Sequence, residues 1–527
     1  MKHNVWKNPV FIISAAVIII LVIIGAAMPA RFGAAAGSIF NFTTNNFGWF
    51  YLISVFAIFV FLAGLAISKY GNIRLGGEGS KPEFPFFTWI SMLFSAGFGI
   101  GLVFWGVAEP MSHFFSPPFD GIEPMTERAA RIAMGYSFFH WGVSQWAILA
   151  LVGLAVGFLQ FSKRKDSLIS TALEPVTGKK PLIKHSIDSL SVIATVMGIA
   201  TSIGLGALQV SGGINAVFGT GSKAWMQMVI IVIVLIAYMI SSFTGVDKGI
   251  RYLSNLNLVF AAGLLLFVFV AGPTVFILES FTLALGDYIT NFVHYSLRLQ
   301  PYQGGTWIRD WTIFYWAWTI AWSPYVGAFV ARVSKGRTIR EFIMGVMIIP
   351  PLFACVWIAV FGGTALWHDL NHGTGIANAV NEDITVALFQ TFEQLPWTLP
   401  ISVLSILLIF VFLVTSADSA TYILSSMTSH GSLNPPLFAK FVWGFLMSAI
   451  AGALLYAGGL EALQTASLIA ALPFTLILLL LIAAIVTLLR REPLPIRKAD
   501  LRRFERLERA ARFQKLEKAV DPSKKKK

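Results

Sequence analysis

A chain of 527 residues that is 56% hydrophobic and 12% charged is not a soluble globular protein, which carries about 25% charged residues. Its net charge of +13 lies mostly in one tail, where Arg490 to Lys527 hold 15 basic and 6 acidic residues; this favours anionic lipid headgroups as a partner over nucleic acid. A single cysteine, Cys355, excludes an intramolecular disulfide and argues against thiol or zinc chemistry.

The apolar residues come in blocks near the 20 residues that cross a bilayer as helix. They predict an all-α membrane protein of twelve spans: 9–29, 48–69, 87–110, 133–158, 188–218, 224–243, 252–273, 311–331, 341–362, 397–425, 440–457 and 464–489. The first block is too long for a signal-peptide core and reads as a retained helix. Loops after even-numbered spans carry 16 Lys and Arg, counting Lys69 and Lys440 at span edges, against six after odd-numbered ones. The positive-inside rule therefore puts both termini in the cytoplasm of a multi-pass plasma-membrane protein. Residues 276–299 read as an amphipathic segment along the outer interface. After Pro493 and Pro495, Asp500 can cap a basic helix running to about Val520.

The third span contains three alternating glycines, Gly97, Gly99 and Gly101. Each costs about 1 kcal/mol in a helix relative to alanine, so local unwinding is expected. The eighth span carries Ser323-Pro324, where proline removes a backbone donor. Irregular backbone at membrane depth survives where it is buried in protein or lines a cavity. Two breaks five spans apart lie in units of opposite direction, the layout of a five-plus-five inverted repeat. The expected organisation is two peripheral helices in 1–86, a first repeat in 87–275, the interfacial segment in 276–310, a second repeat in 311–490 and a cytoplasmic tail in 491–527.

Trp311, Trp318 and Trp322 share a helix face with Tyr315. Stacked aromatic faces in a low-dielectric wall suit a cation with no N–H to donate, such as a quaternary ammonium; dense helix packing explains them equally well. Unwound amides near Gly97 to Gly101 suit a carboxylate, so together the two elements describe a site for a zwitterion. In the tenth span, Thr415, Ser416 and Asp418 offer oxygens for a hard cation such as sodium, although such hydroxyls commonly bond the preceding turn. His140 reads as a hydrogen-bonded core histidine and Glu109 as a residue of the water boundary. No cluster of His, Asp or Cys is apparent at membrane depth, which argues against an enzyme.

These residues resemble the betaine/carnitine/choline transporter family. The likeness lies in GFGIGLVFWGVAEP from Gly97 to Pro110, FHWGVSQWA from Phe139, GLGALQ from Gly204, FYWAW from Phe314 through WSPYVG to Gly327, and VTSADS from Val414. The resemblance implies a leucine-transporter-like core in spans 3–7 and 8–12, a homotrimer, and uptake of trimethylammonium osmolytes. It places Trp141 and Trp146 in an aromatic pocket. Phe104, Trp318 and Trp322 would line the site and its inner pathway, and Gly97, Gly99, Gly101 and Ser202 would lie near the carboxylate. It also implies a sodium site from carbonyls of Ser95, Phe98 and Phe412 and hydroxyls of Thr415 and Ser416. A second sodium site would use Thr195 and Tyr325, with Ile199 where a hydroxyl is expected.

Two positions depart from the family pattern: Thr319 where a second tryptophan is usual, and Leu149 where a tyrosine is frequent. The expectation is osmotically regulated sodium symport of glycine betaine or a related trimethylammonium solute, with sodium as coupling ion and no other cofactor. The alternative is sodium-independent import or exchange of carnitine-like, choline-like or other zwitterionic solutes.

Overall fold

The computed structural model describes residues 7–97, 99–221, 223–244, 247–302, 304–432, 434–494 and 506–516; at 94–97, 244 and 247–254 only the backbone is described. Among the described residues the regular elements are all helices, with no strand beyond one isolated bridge between Arg74 and Thr338. In chain order the helices are α1 (Pro9–Ala27), α2 (Pro29–Ile67), α3 (Phe86–Gly97), α4 (Ile100–Phe115), α5 (Glu127–His140), α6 (Val143–Gly157), α7 (Ile169–Thr177), α8 (Pro181–Phe218) and α9 (Ala224–Thr244). They continue as α10 (Asp247–Ala271), α11 (Thr274–Ser296), α12 (Phe314–Val333), α13 (Ile339–His372), α14 (Ile376–Glu382), α15 (Ala387–Phe392), α16 (Thr398–Met427) and α17 (Leu437–Leu489). A further helical stretch, 506–516, is solvent-exposed along its length.

Among the described residues, eight helices are long and apolar enough to cross a membrane, nine if the bent pair α10 and α11 counts as one. That pair turns through 107° between Ala271 and Thr274, at Gly272-Pro273. The predicted third span is split: α3 and α4 have 12 and 16 residues, each too short to span a hydrocarbon core alone. α17 changes direction at Gly458-Gly459, where φ of +61° at Gly459 is a conformation that a Cβ would strain. Conversely, the predicted loop after the first span is helical. α2 starts at Pro29, and its 39 residues reach roughly 58 Å at 1.5 Å per residue.

α8 is the central post. It packs on α4, α12, α16 and α17, and α6 packs on α12. Helices buried in a bundle gain little from hydrophobicity relative to lipid, so close packing and interhelical hydrogen bonds hold them. Gln209 Nε2 of α8 donates to Val103 O of α4 at 3.2 Å. Thr201 Oγ1 of α8 reaches Leu463 O of α17 at 2.8 Å, and Tyr51 OH of α2 donates to Leu468 O at 2.8 Å. The first of these bonds ties α4 to α8, and the other two hold α17 against α8 and α2.

Candidate functional site

The glycine segment is interrupted where the sequence places the weakness. α3 ends at Gly97, and α4 starts at Ile100 behind an extended Gly99 (φ −133°, ψ 179°). As the residue capping α4, glycine supplies no side-chain acceptor. The first amides of the helix therefore stay available, with the positive end of its dipole, for an anion.

The eighth span behaves differently. α12 runs unbroken through Pro324, against the expectation of a break there. Proline orphans the carbonyl of Ile320, and Ser323 Oγ satisfies it at 2.7 Å, so the helix survives. The irregularity lies about three turns earlier in chain order, as a π-helical turn over Arg309–Ile313.

A second break appears between α5 and α6, at Trp141 (φ −92°, ψ 2°) and Gly142 (φ −82°, ψ −156°). The free amide of Val143 is capped by Tyr288 OH of α11 at 2.9 Å. Trp141 and Trp146 would diverge by about 140° on a regular helix; the break redirects only Trp141 toward the cavity.

That cavity is narrow, about 30 Å³, and is walled by the α3/α4 break, the α5/α6 break, α8, α12 and α16. Of the sequence-predicted residues it gathers Gly99, Gly101, Trp141, Ser202, Trp318, Trp322, Tyr325 and Ser416. The indoles form a corner: Trp141 meets Trp318 edge-on at 6.3 Å and 85°, and Trp318 stacks on Trp322 at 6.3 Å and 29°. Trp318 Nε1 donates to Gly198 O at 3.3 Å. A Cβ on Gly101 would collide with Trp318 and lie 3.2 Å from Trp141 Cη2, so glycine is what lets the two rings approach the backbone. Trp311 stands apart from this corner, against Trp105 and His113.

Other expected residues lie elsewhere. Phe104 and Trp146 are buried but do not line this cavity. Gly97 closes α3. Thr415 Oγ1 bonds Val411 O at 3.0 Å and Phe412 O at 3.2 Å, the preceding-turn pattern. Thr195 Oγ1 likewise bonds Ser191 O at 2.7 Å. Phe412 is buried. The side chain of Ser95 and all of Phe98 lie outside the described residues, as do Asp500 and Val520.

Glu109 is not at a water boundary. It is fully buried and anchors a polar knot. His140 Nδ1 lies 2.6 Å and His113 Nε2 3.2 Å from Glu109 Oε1. Trp141 Nε1 donates to Oε2 at 2.9 Å, and Tyr315 OH donates to the same oxygen. His140 Nε2 is 2.9 Å from Thr312 Oγ1, which makes it the hydrogen-bonded core histidine expected. A buried carboxylate thus fixes the rotation of the indole that borders the cavity. This cluster of one acid and two histidines was not foreseen at membrane depth, because it assembles from α4 and α5. The spacing of Glu109 and His113, one helical turn apart, was its only local sign. Gln145, Ile203, Leu413 and Ala417 also line the cavity; Gln145 and Ala417 fall within the family stretches but carried no site reading.

The family described as BCCT, betaine/carnitine/choline family transporter, matches residues 9–494. The chain is 61% identical over 491 residues to an ectoine/hydroxyectoine transporter of Virgibacillus pantothenticus, covering 93% of this chain and 98% of the relative. It is 45% identical over 505 residues to the glycine betaine transporter OpuD of Bacillus subtilis (95% and 97% covered), and 42% identical over 491 residues to a probable glycine betaine transporter of Desulfitobacterium hafniense (92% and 98% covered). With an interrupted helix and a corner of indoles enclosing one cavity, and a family match along nearly the whole chain, the protein belongs to the betaine/carnitine/choline transporters and is a membrane carrier rather than an enzyme.

Proposed function

We propose that the chain imports a small zwitterionic compatible solute, of the class that includes glycine betaine and ectoine, by sodium symport. The observation that carries the reading is the joint lining of one cavity by the amide-rich start of α4 and by Trp141, Trp318 and Trp322. The helix end holds the carboxylate and the indole faces hold the cationic end. Relatives named for ectoine and for glycine betaine support the solute class.

Twelve crossings in a five-plus-five arrangement, spans 3–7 and 8–12, fit the order of helices. The direction change in α17 at Gly458-Gly459 supplies the boundary between the last two. Both termini face the cytoplasm in this reading, and the assembly is a homotrimer in the plasma membrane. The basic tail lies against anionic lipid, where its attraction weakens as salt shortens the Debye length to about 8 Å at physiological ionic strength.

Sodium binds beside α16, with Ser416 at the cavity wall and Thr415 one residue before it. Bound sodium steadies the break, the break holds the carboxylate, and each ligand tightens the other by the same factor. Uptake of labelled solute into proteoliposomes, with and without an inward sodium gradient, tests this. Accumulation only with the gradient supports symport. Equal counterflow in sodium-free vesicles preloaded with solute would instead establish exchange.

A further inference from the structure

We infer that Gln145 and Thr319 form a hydrogen-bonding subsite that reads N–H groups on the cationic end of the solute. The cavity would then favour a protonated amidine zwitterion over a quaternary ammonium. The inference rests on the zwitterion reading above and narrows it.

Both residues line the cavity that holds Trp141, Trp318 and Trp322. Gln145 is 7% and Thr319 2% exposed, yet Gln145 Oε1 and Thr319 Oγ1 have no hydrogen-bond partner among the described residues. Unpaired buried oxygens are uncommon and call for an explanation. For a threonine within a helix the easy remedy is the carbonyl four residues back. Thr195, Thr201, Thr364 and Thr421 all take it in this protein. Thr319 does not. Gln145 sits in the first turn of α6, just beyond the α5/α6 break, so its amide and the Thr319 hydroxyl come to one cavity from two helices.

The ligand chemistry follows from what these oxygens lack. A quaternary ammonium presents only C–H groups and leaves both acceptors unpaired in a dry site, which is unfavourable. A protonated cyclic amidine has N–H groups for them and a flat delocalised cation for the indole faces. Sites built to hydrogen-bond a ligand N–H discriminate strongly against analogues without one. Threonine at 319 exchanges aromatic surface, which serves any cation, for a hydroxyl that needs a hydrogen-bonding partner and can accept from an N–H.

The test uses the full chain in proteoliposomes with two labelled zwitterions, ectoine as the amidinium and glycine betaine as the quaternary ammonium. The unaltered chain is expected to show the lower KM for ectoine. Thr319→Val, which keeps shape and removes the hydroxyl, should raise the ectoine KM at least tenfold and leave the glycine betaine KM within about twofold; Thr319→Ser should restore it. Gln145→Met should act in the same direction. An unaltered chain that prefers glycine betaine tenfold overturns the subsite without any variant. Parallel shifts for both solutes in Thr319→Val and Gln145→Met overturn it too, while leaving zwitterion transport intact. Uptake of neither solute by the unaltered chain defeats the underlying reading and the subsite with it.

Discussion

Glu109 offers a demanding test of how the indole corner is held. Trp141 Nε1 and Tyr315 OH share Oε2, while His140 and His113 share Oε1. In Glu109→Gln the amide oxygen can keep Trp141 and Tyr315, and the amide nitrogen can face the imidazoles, whose neutral tautomers each have an accepting nitrogen. Every partner is retained, and only the charge assistance is lost. Such bonds are roughly twice as strong as neutral ones, so about 1–2 kcal/mol of restraint on the pair disappears. At 1.4 kcal/mol per factor of ten this predicts solute binding weaker by about 5–30-fold in a folded protein. Glu109→Leu strands the Trp141 and Tyr315 donors, each buried to 5% exposure or less. At about 1–3 kcal/mol per stranded donor, roughly 2–6 kcal/mol of stability is lost. Equilibrium binding of labelled solute and thermal unfolding in detergent measure the two effects. Unchanged affinity and unchanged unfolding temperature in Glu109→Leu would refute the idea that this carboxylate orients Trp141.

Three further outcomes are expected. Thr415→Ala with Ser416→Ala should abolish sodium-driven uptake; sodium dependence equal to that of the unaltered chain would remove these hydroxyls from the ion site. Gly101→Ala places a methyl group against Trp318 and Trp141, an overpacking worth about 1–3 kcal/mol. Solute affinity should fall about 5–150-fold, and a binding isotherm superimposable on that of the unaltered chain would contradict the close approach. Deleting residues 499–527 should flatten the response of uptake to osmolality in liposomes rich in anionic lipid. An identical response before and after deletion would mean that the tail only biases topology.

The glycine break was legible in the sequence because its cause is local: three glycines in five positions weaken a helix wherever it is placed. The second break was not. Trp141-Gly142 contains one glycine, and the interruption is completed by Tyr288 of α11 capping the amide of Val143, a partner 145 residues away. Pro324 misled in the opposite direction, because the hydroxyl of Ser323 answers the carbonyl that proline orphans. Glu109 looked like a boundary residue because its neighbour Pro110 and its place near the end of a span mimic one. Only His113 is near it in the chain; its other partners come from His140, Trp141 and Tyr315 on distant segments, and no single stretch reveals them.

Composition and block length were enough to predict a helical membrane protein, since apolar length and loop charge act segment by segment against the bilayer. Family membership was equally readable, because its motifs are short and contiguous. Which indoles face the cavity, and which oxygens are left unpaired beside them, was decided only by folding. Those properties depend on how α4, α6, α8, α12 and α16 are rotated against one another, and that rotation is set by interhelical hydrogen bonds and close packing between residues far apart in the chain.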